Sequence, residues 1–433
     1  MKGLILAAPS SGAGKTTVTL ALLRLLNRAG IHLRGAKSGP DYIDPKFHEA
    51  ACRQPCINLD AWAMPPARIA SLAASPSVDL LVIEGAMGLF DGAPPAGRGA
   101  VADLARQLAL PVILIVDAGR MAQSVAPLVA GFAGFDPDVR IAGVILNRVG
   151  SARHARMLRA ALAPLGRPVL GTLPRRADLA LPSRHLGLVQ AGETPDLDAF
   201  LDRAADALAA GAPGDRPFDL DTTLALASPL AGSVATSART GFPPPPAQHI
   251  AVAQDAAFAF AYPHMLDTWR AAGAQLSFFS PLADDAVPRC DLVFLPGGYP
   301  ELHAGRLAAN AAFLTSLRRH AASAPVYGEC GGYMVLGDAL TDENGTCHAM
   351  AGLLRLQTSF QRRKLHLGYR SLVADAGPMS GAWAGHEFHY ATTIRAEGDA
   401  LFQACDAEGT PLPAMGLRQG QVCGSFAHLI EPA

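Results

Sequence analysis

Cys330 stands in the stretch APVYGECGGYMVLG, residues 324–337, two positions after Gly328 and directly before Gly331 and Gly332. Gly-x-Cys-x-Gly between a short apolar run and a helical pattern is the cysteine form of the nucleophile elbow. Glycines let the backbone turn sharply there, and a helix start with unpaired N–H groups favours a thiolate. A buried structural cysteine in a tight turn is the competing reading. Two further features favour chemistry. CGSFAHLIEP places His428 after a short terminal strand, as a general base for the thiol. DLVFLPGGYPE ends a buried strand in glycines, so the Gly298 and Gly331 N–H groups suit an oxyanion hole.

A second chemistry is written at the other end. PSSGAGKTT, residues 9–17, follows an apolar run and opens a helical one. It fits the phosphate-loop pattern G-x-x-x-x-G-K-[ST], with Pro9 in place of the first glycine. Backbone N–H groups of Ser11, Gly12, Ala13, Gly14, Lys15, Thr16 and Thr17 would cradle phosphates. Lys15 would reach the β/γ oxygens, and the Thr16 hydroxyl would bind Mg²⁺. Glu84 ends the apolar strand DLLVIE and is read as a second Mg²⁺ ligand, since a carboxylate there has no structural purpose. Lys37, Asp41, Asp44 and Asp91 fall where ligands sit in such sheets, beyond the carboxyl ends of strands. For Asp44, a helix cap or solvated turn is an equal alternative. Asn147 ends another strand and could read adenine through its amide.

Other chemistry-bearing residues are read as ordinary. His366, His386 and His389 lack the spacing of a zinc site, and Cys52-x-x-x-Cys56 near His48 is no better. QRRK at 361–364 is a solvated face that could meet an anionic substrate.

The elements that must position these groups are visible as apolar runs. KGLILAA, DLLVIEGA, PVILIVDA, RIAGVILNRV and RPVLGTLP alternate with helical patterns over residues 1–200. This predicts a parallel sheet covered by helices on both faces. The expected domains are residues 1–210, a linker over 211–247 containing the run PPPP, and a second α/β block over 248–433. The first ten residues mimic a signal peptide, but the apolar run is too short and reads as a core strand. The chain has 433 residues, 50% hydrophobic and 17% charged, with net charge −1 and seven cysteines. Those values give no basic field for nucleic acid or anionic membranes, and suggest reduced thiols in a cytoplasm.

The combination of a variant phosphate loop with LPGGYPE, YGECGGYMVLG and GHEFHY resembles the cobyrinic acid a,c-diamide synthase family, its hydrogenobyrinic acid counterpart included. The likeness runs nearly end to end, linker excepted. The N-terminal half is similar to dethiobiotin synthetase and the C-terminal half to class I glutamine amidotransferases. The resemblance implies that Cys330 attacks L-glutamine with His428 as base. Lys15, Thr16, Glu84, Asp41, Tyr42, Asp44 and Asp91 then match positions around ATP, Mg²⁺ and the corrinoid. The implied reaction is ATP-dependent amidation of the a and c carboxylates of a corrin ring through acyl phosphates. Ammonia would arrive through the protein, and the assembly admits a homodimer.

One departure concerns the glutaminase triad. Class I enzymes carry a glutamate two residues after the histidine, where this chain has Ile430. Glu431 falls one later, on the opposite face of an extended strand. Rival readings are a cobyric acid synthase amidating four other side chains, and a P-loop ATPase switch with a dead glutaminase fold. Against the first stands Glu329 where GICGGY is usual, and against the second the intact Cys330 and His428. The composition, rich in alanine and arginine, leans toward the cobalt-free substrate.

Overall fold

The structure is a computed structural model that describes residues 1–75, 77–180, 189–230 and 244–433. It has two compact units, Met1–Ala238 and Arg239–Ala433.

In the first unit the apolar runs become eight strands: β1 (Lys2–Ala7), β2 (Leu33–Ser38), β3 (Ile57–Leu59), β4 (Leu80–Glu84), β5 (Val112–Asp117), β6 (Ile141–Val149), β7 (Val169–Pro174) and β8 (Ser228–Pro229). Seven run parallel in the order β3-β2-β4-β1-β5-β6-β7, and β8 pairs antiparallel with β1. Parallel strands buried on both faces need side chains that are apolar throughout. Leu4, Ile5, Leu6, Leu81, Val82 and Ile83 are all wholly buried. β1 is therefore a core strand, flanked by β4 and β5. The order reverses beside β1, so its carboxyl end opens into the crevice where open α/β sheets bind ligands. Helix α1 (Lys15–Arg28) starts there.

Residues 211–230 are not linker. Asp219 caps the helix Leu220–Leu226 through Oδ1, which accepts from the Thr222 N–H at 2.9 Å. Phe218 lies so close to Gly171 of β7 that a Cβ there would meet its ring at 2.5 Å. Of the rest of the expected linker, residues 231–243 lie outside the described residues, and 244–247 lead without helix or strand into the second unit.

The second unit opens with β9 (His249–Ala253), β10 (Gln275–Phe279), β11 (Leu292–Leu295) and β12 (Val326–Glu329). They form a sheet in the order β10-β9-β11-β12, extended by the strands Val422–Ser425 and Leu417–Gln419. All pairings are parallel but the last. A five-stranded antiparallel sheet ends in Gly381–His389 and Ala427–Pro432, so His428 follows the short strand Val422–Ser425 and itself lies in the last strand. Among the described residues no helix is long and apolar enough to cross a membrane.

Candidate active sites in two units

In the first unit the loop after β1 turns through Gly12 (φ 78°) and Gly14 (φ 82°), a backbone region that favours glycine. Gly14 is the cap residue of α1 and has no side-chain cap, so the first N–H groups of the helix are left for a ligand. Asn147 sits beneath the loop. Its Nδ2 donates to Ala13 O at 2.8 Å, and its Oδ1 accepts from the Arg148 N–H at 2.8 Å. The amide thus braces the loop from below, with one Nδ2 hydrogen and one Oδ1 lone pair left over. A Cβ on Gly14 would stand 2.2 Å from that Nδ2, so the loop and its brace require glycine here.

Lys15 donates to the Met87 and Ser10 carbonyls. Burial, and then the neighbouring Lys37 charge, lower its ammonium below the ordinary value. Nothing anionic yet compensates that charge fully. The Thr16 hydroxyl donates to Glu84 Oε1 at 2.8 Å and lies 3.4 Å from Asp44 Oδ2. Thr17 Oγ1 reaches Leu179 O at 3.5 Å.

Glu84 is the hub of a buried cluster. Its Oε1 also accepts from Lys37 Nζ at 2.9 Å, and its Oε2 meets His48 Nε2 at 2.6 Å. Burial would raise this carboxyl, but Lys37 and His48 outweigh that and hold it well below the usual range. In this arrangement Glu84 touches both Thr16 and Lys37 through Oε1 and His48 through Oε2. Lys37 also pairs with Asp44. Burial alone would lower the Lys37 ammonium, yet Asp44 and Glu84 hold it above its normal value. Asp41 Oδ1 accepts from the Ile43 and Asp44 N–H groups at 2.7 and 3.0 Å. Burial and the Asp44 charge push Asp41 up to about 6. Tyr42 is in the same loop, and Asp91 Oδ2 accepts from the Gly88 N–H at 2.9 Å.

In the second unit β12 ends in Glu329, and Cys330 turns the chain at φ 46° and ψ −102°. A non-glycine residue held there stores about 1–3 kcal/mol of strain, a cost the surroundings must fix in place. They do so by close approach. A Cβ on Gly332 would meet Leu295 O at 2.0 Å, and one on Gly328 would meet Leu336 Cδ1 at 2.7 Å. The Cys330 N–H donates to Ser425 O at 2.8 Å, and the Gly332 N–H to Pro296 O at 3.1 Å. The glycines exist to let this elbow pack against its neighbours.

Cys330 and His428 converge over Gly297. A Cβ there would lie 2.2 Å from His428 Cε1, 2.9 Å from its Nε2 and 3.3 Å from Cys330 Cβ. A Cβ on Gly331 would lie 3.0 Å from the Gly298 nitrogen, so the two expected oxyanion donors are adjacent. The helix behind the thiol is only six residues, Gly331–Leu336. The expectation that its dipole favours a thiolate is outweighed. Burial, and then the Glu301 charge, push the Cys330 thiol well above its ordinary range, against the opposing Gly331 N–H.

Sequence reading missed the acid beside His428. Glu329 Oε2 lies 3.5 Å from His428 Nδ1. Its Oε1 accepts from the Tyr327 hydroxyl and the Leu429 N–H, both at 3.1 Å. Glu431 is elsewhere, 3.8 Å from His264 Nε2. The register between the last two antiparallel strands shifts at Ala384/Gly385, with Gly385 opposite Leu429 and Ala384 opposite Glu431. Simple alternation therefore does not describe residues 428–431.

Among the described residues one trio, His366, Glu387 and His389, is close enough to share a metal ion. It is poorly suited to one. The two imidazoles stack face to face at 4.6 Å and 4°, so their in-plane lone pairs cannot converge on an ion between them. Glu387 already accepts from Arg370 at 2.7 and 2.9 Å. Burial would raise Glu387, but His389 and Arg370 hold it at about 2. Cys56 Sγ lies 3.5 Å from His48 Nδ1, in the buried line that ends on Glu84.

Comparison with known proteins agrees with this division. Residues 4–189 match the CobQ/CobB/MinD/ParA nucleotide binding domain, and residues 249–432 the CobB/CobQ-like glutamine amidotransferase domain. Hydrogenobyrinate a,c-diamide synthase of Brucella anthropi is 53% identical, with 100% of this chain and 99% of the relative covered. The enzymes of that name from Brucella suis and Rhizobium meliloti are 54% and 52% identical over the same shares.

This chain belongs to the hydrogenobyrinate a,c-diamide synthase family. The family carries its nucleotide-binding and glutamine amidotransferase domains in one polypeptide, as the two units here do. Membership also places the chain among glutamine-dependent carbon–nitrogen ligases.

Proposed function

We propose that the chain amidates the a and c carboxylates of hydrogenobyrinate, with ATP and glutamine as co-substrates, in cytoplasmic cobalamin biosynthesis. The carrying observation is that Cys330 and His428 converge over Gly297, in a chain half-identical over its full length to synthases named for that substrate. In the glutaminase unit Cys330 sulfur bonds to the glutamine amide carbon as His428 takes the thiol proton. His428 returns that proton to the departing nitrogen, and the C–N bond breaks. Water then cleaves the thioester to glutamate. In the synthase unit a substrate carboxylate attacks the γ-phosphorus of ATP and ADP leaves. Ammonia then displaces phosphate from the acyl phosphate. Carboxylates need this step because hydroxide is a poor leaving group.

Mg²⁺ fits beside the phosphate loop. The Thr16 hydroxyl faces Glu84 and Asp44, and the raised Asp41 carboxyl lacks sufficient positive charge around it. Thr16, Glu84 and Asp41 would hold the ion, with Asp44 beside them. When bound, it neutralises charge on the transferring phosphoryl group. Lys15 and the loop N–H groups grip the phosphates, while Tyr42 and Asp91 contribute to the macrocycle side. Neither nucleic acid nor membrane is a partner in this reading, and a homodimer is compatible with it.

Incubation with ATP, Mg²⁺ and glutamine should convert hydrogenobyrinate to a diamide, seen by mass. Conversion of cobyrinate alone would shift the substrate to the cobalt-containing macrocycle. Four added amides would indicate a cobyric acid synthase, and ATP hydrolysis without amidation the switch.

Glu329 positions His428 in this reading. Glu329→Gln keeps the shape yet cannot stabilise an imidazolium, and the equivalent loss in hydrolytic triads costs up to about 10⁴-fold. Glutamate release should fall by about 10²-fold or more, with ammonium-dependent synthesis retained. Glu431→Gln should lose less than about tenfold, or ~1.4 kcal/mol of barrier. Equal, large losses in both variants would reject Glu329 as the positioning acid.

A further inference from the structure

Glu301 is a partly exposed acid, with one carboxylate oxygen turned away from solvent, in the turn next to the nucleophile elbow, and the chemistry above does not use it. It lies in the turn Pro300–His303, directly after the strand and glycines that supply the oxyanion donor. The turn abuts the elbow: a Cβ on Gly331 would meet Pro300 Cδ at 2.8 Å. The Glu301 Oε2 atom is closed off from solvent and has no hydrogen-bond partner among the described residues. Arg363, whose charge acts on it, is already paired with Glu343 at 2.6 Å. A carboxylate oxygen closed off from water without a partner is costly, and that burial pushes Glu301 up to about 8.

We infer that Glu301 binds the α-ammonium group of the glutamine that Cys330 attacks. The inference rests on the glutaminase reading and extends it to substrate recognition. Glutamine offers three polar groups. Its side-chain amide goes to Cys330 and the Gly298/Gly331 donors, and its α-carboxylate would be repelled by an acid. Only the ammonium suits a carboxylate that lacks a partner. Binding of the ammonium would supply the positive partner that the Glu301 oxygen lacks. A simple amide without an α-amino group makes no such contact, so the site would discriminate the amino acid from other amides.

The test compares glutamine with glutaramate, the same skeleton without the α-amino group. Wild-type protein should hydrolyse glutamine with kcat/KM at least about tenfold above glutaramate, as a charge-assisted hydrogen bond allows. Glu301→Gln should raise the KM for glutamine about tenfold or more and leave glutaramate within about threefold, so the discrimination collapses. Equal loss on both amides would show a merely structural residue and overturn the assignment. An unchanged KM with synthesis uncoupled from hydrolysis would assign the carboxylate to released ammonium instead. Equal use of both amides by the wild type overturns it whether or not the variant folds. Absence of any glutamine hydrolysis, with ammonium still supporting synthesis, would bring down the glutaminase reading and this proposal with it.

Discussion

Lys15→Ala is expected to reduce synthesis below about 1% whether glutamine or ammonium supplies nitrogen, a loss of at least ~2.7 kcal/mol of transition-state stabilisation. Its ammonium now rests on the Met87 and Ser10 carbonyls. Burial and Lys37 lower it, so an incoming polyphosphate is the counter-charge it lacks. Without it no acyl phosphate forms, and the nitrogen source becomes irrelevant. Glutamate release, driven by the other unit, should persist in this variant. ADP production and amide formation measured side by side decide the matter. Near-normal turnover with ammonium would mean the loop is not where ATP reacts.

Cys330→Ala should do the converse. Glutamine-dependent synthesis should vanish, because neither water nor His428 can replace sulfur at the amide carbon. Ammonium salt at raised pH, where more free ammonia is present, should restore synthesis. The variant is conservative in volume, but the backbone remains at a φ of 46°, so folding should be checked by thermal melting. A folded variant that loses both activities would refute the division of labour.

Much of this was legible because each decisive feature was local. The parallel sheet is announced by apolar runs such as PVILIVDA, and the loop by a contiguous pattern opening α1. The elbow is likewise contiguous. What sequence reading missed depends on pairing between distant segments. Glu329 belongs to β12, and it meets His428 only because the chain returns beside β12 about a hundred residues later. The search for an acid near the histidine in sequence led to Glu431, and the register shift defeats that argument from alternation. Asn147 ends up as a brace because Ala13, from the far end of the unit's sequence, lies over it. The antiparallel sheet carrying His428 was not anticipated, although LHLGYRSLVA does show irregular alternation. Residues 211–230 were misread because Pro and Gly outweighed a real helix signal, Asp219 three residues before Thr222.

The return of β8 to β1 bears on how such a gene could be divided. Ser228 pairs with Gly3 and Pro229 with Lys2, so the first unit closes on its own starting strand. A split at residue 210 would strip away the ring of Phe218 that covers Gly171, and Leu226 beside Gly143. The amputated half would carry a bare apolar floor at β6 and β7, a surface prone to stick to other chains. A split after β8 leaves that covering whole. Fission of this polypeptide into separate subunits, in evolution or by engineering, is therefore expected after Pro229 and not at the residue-210 boundary that the composition suggests.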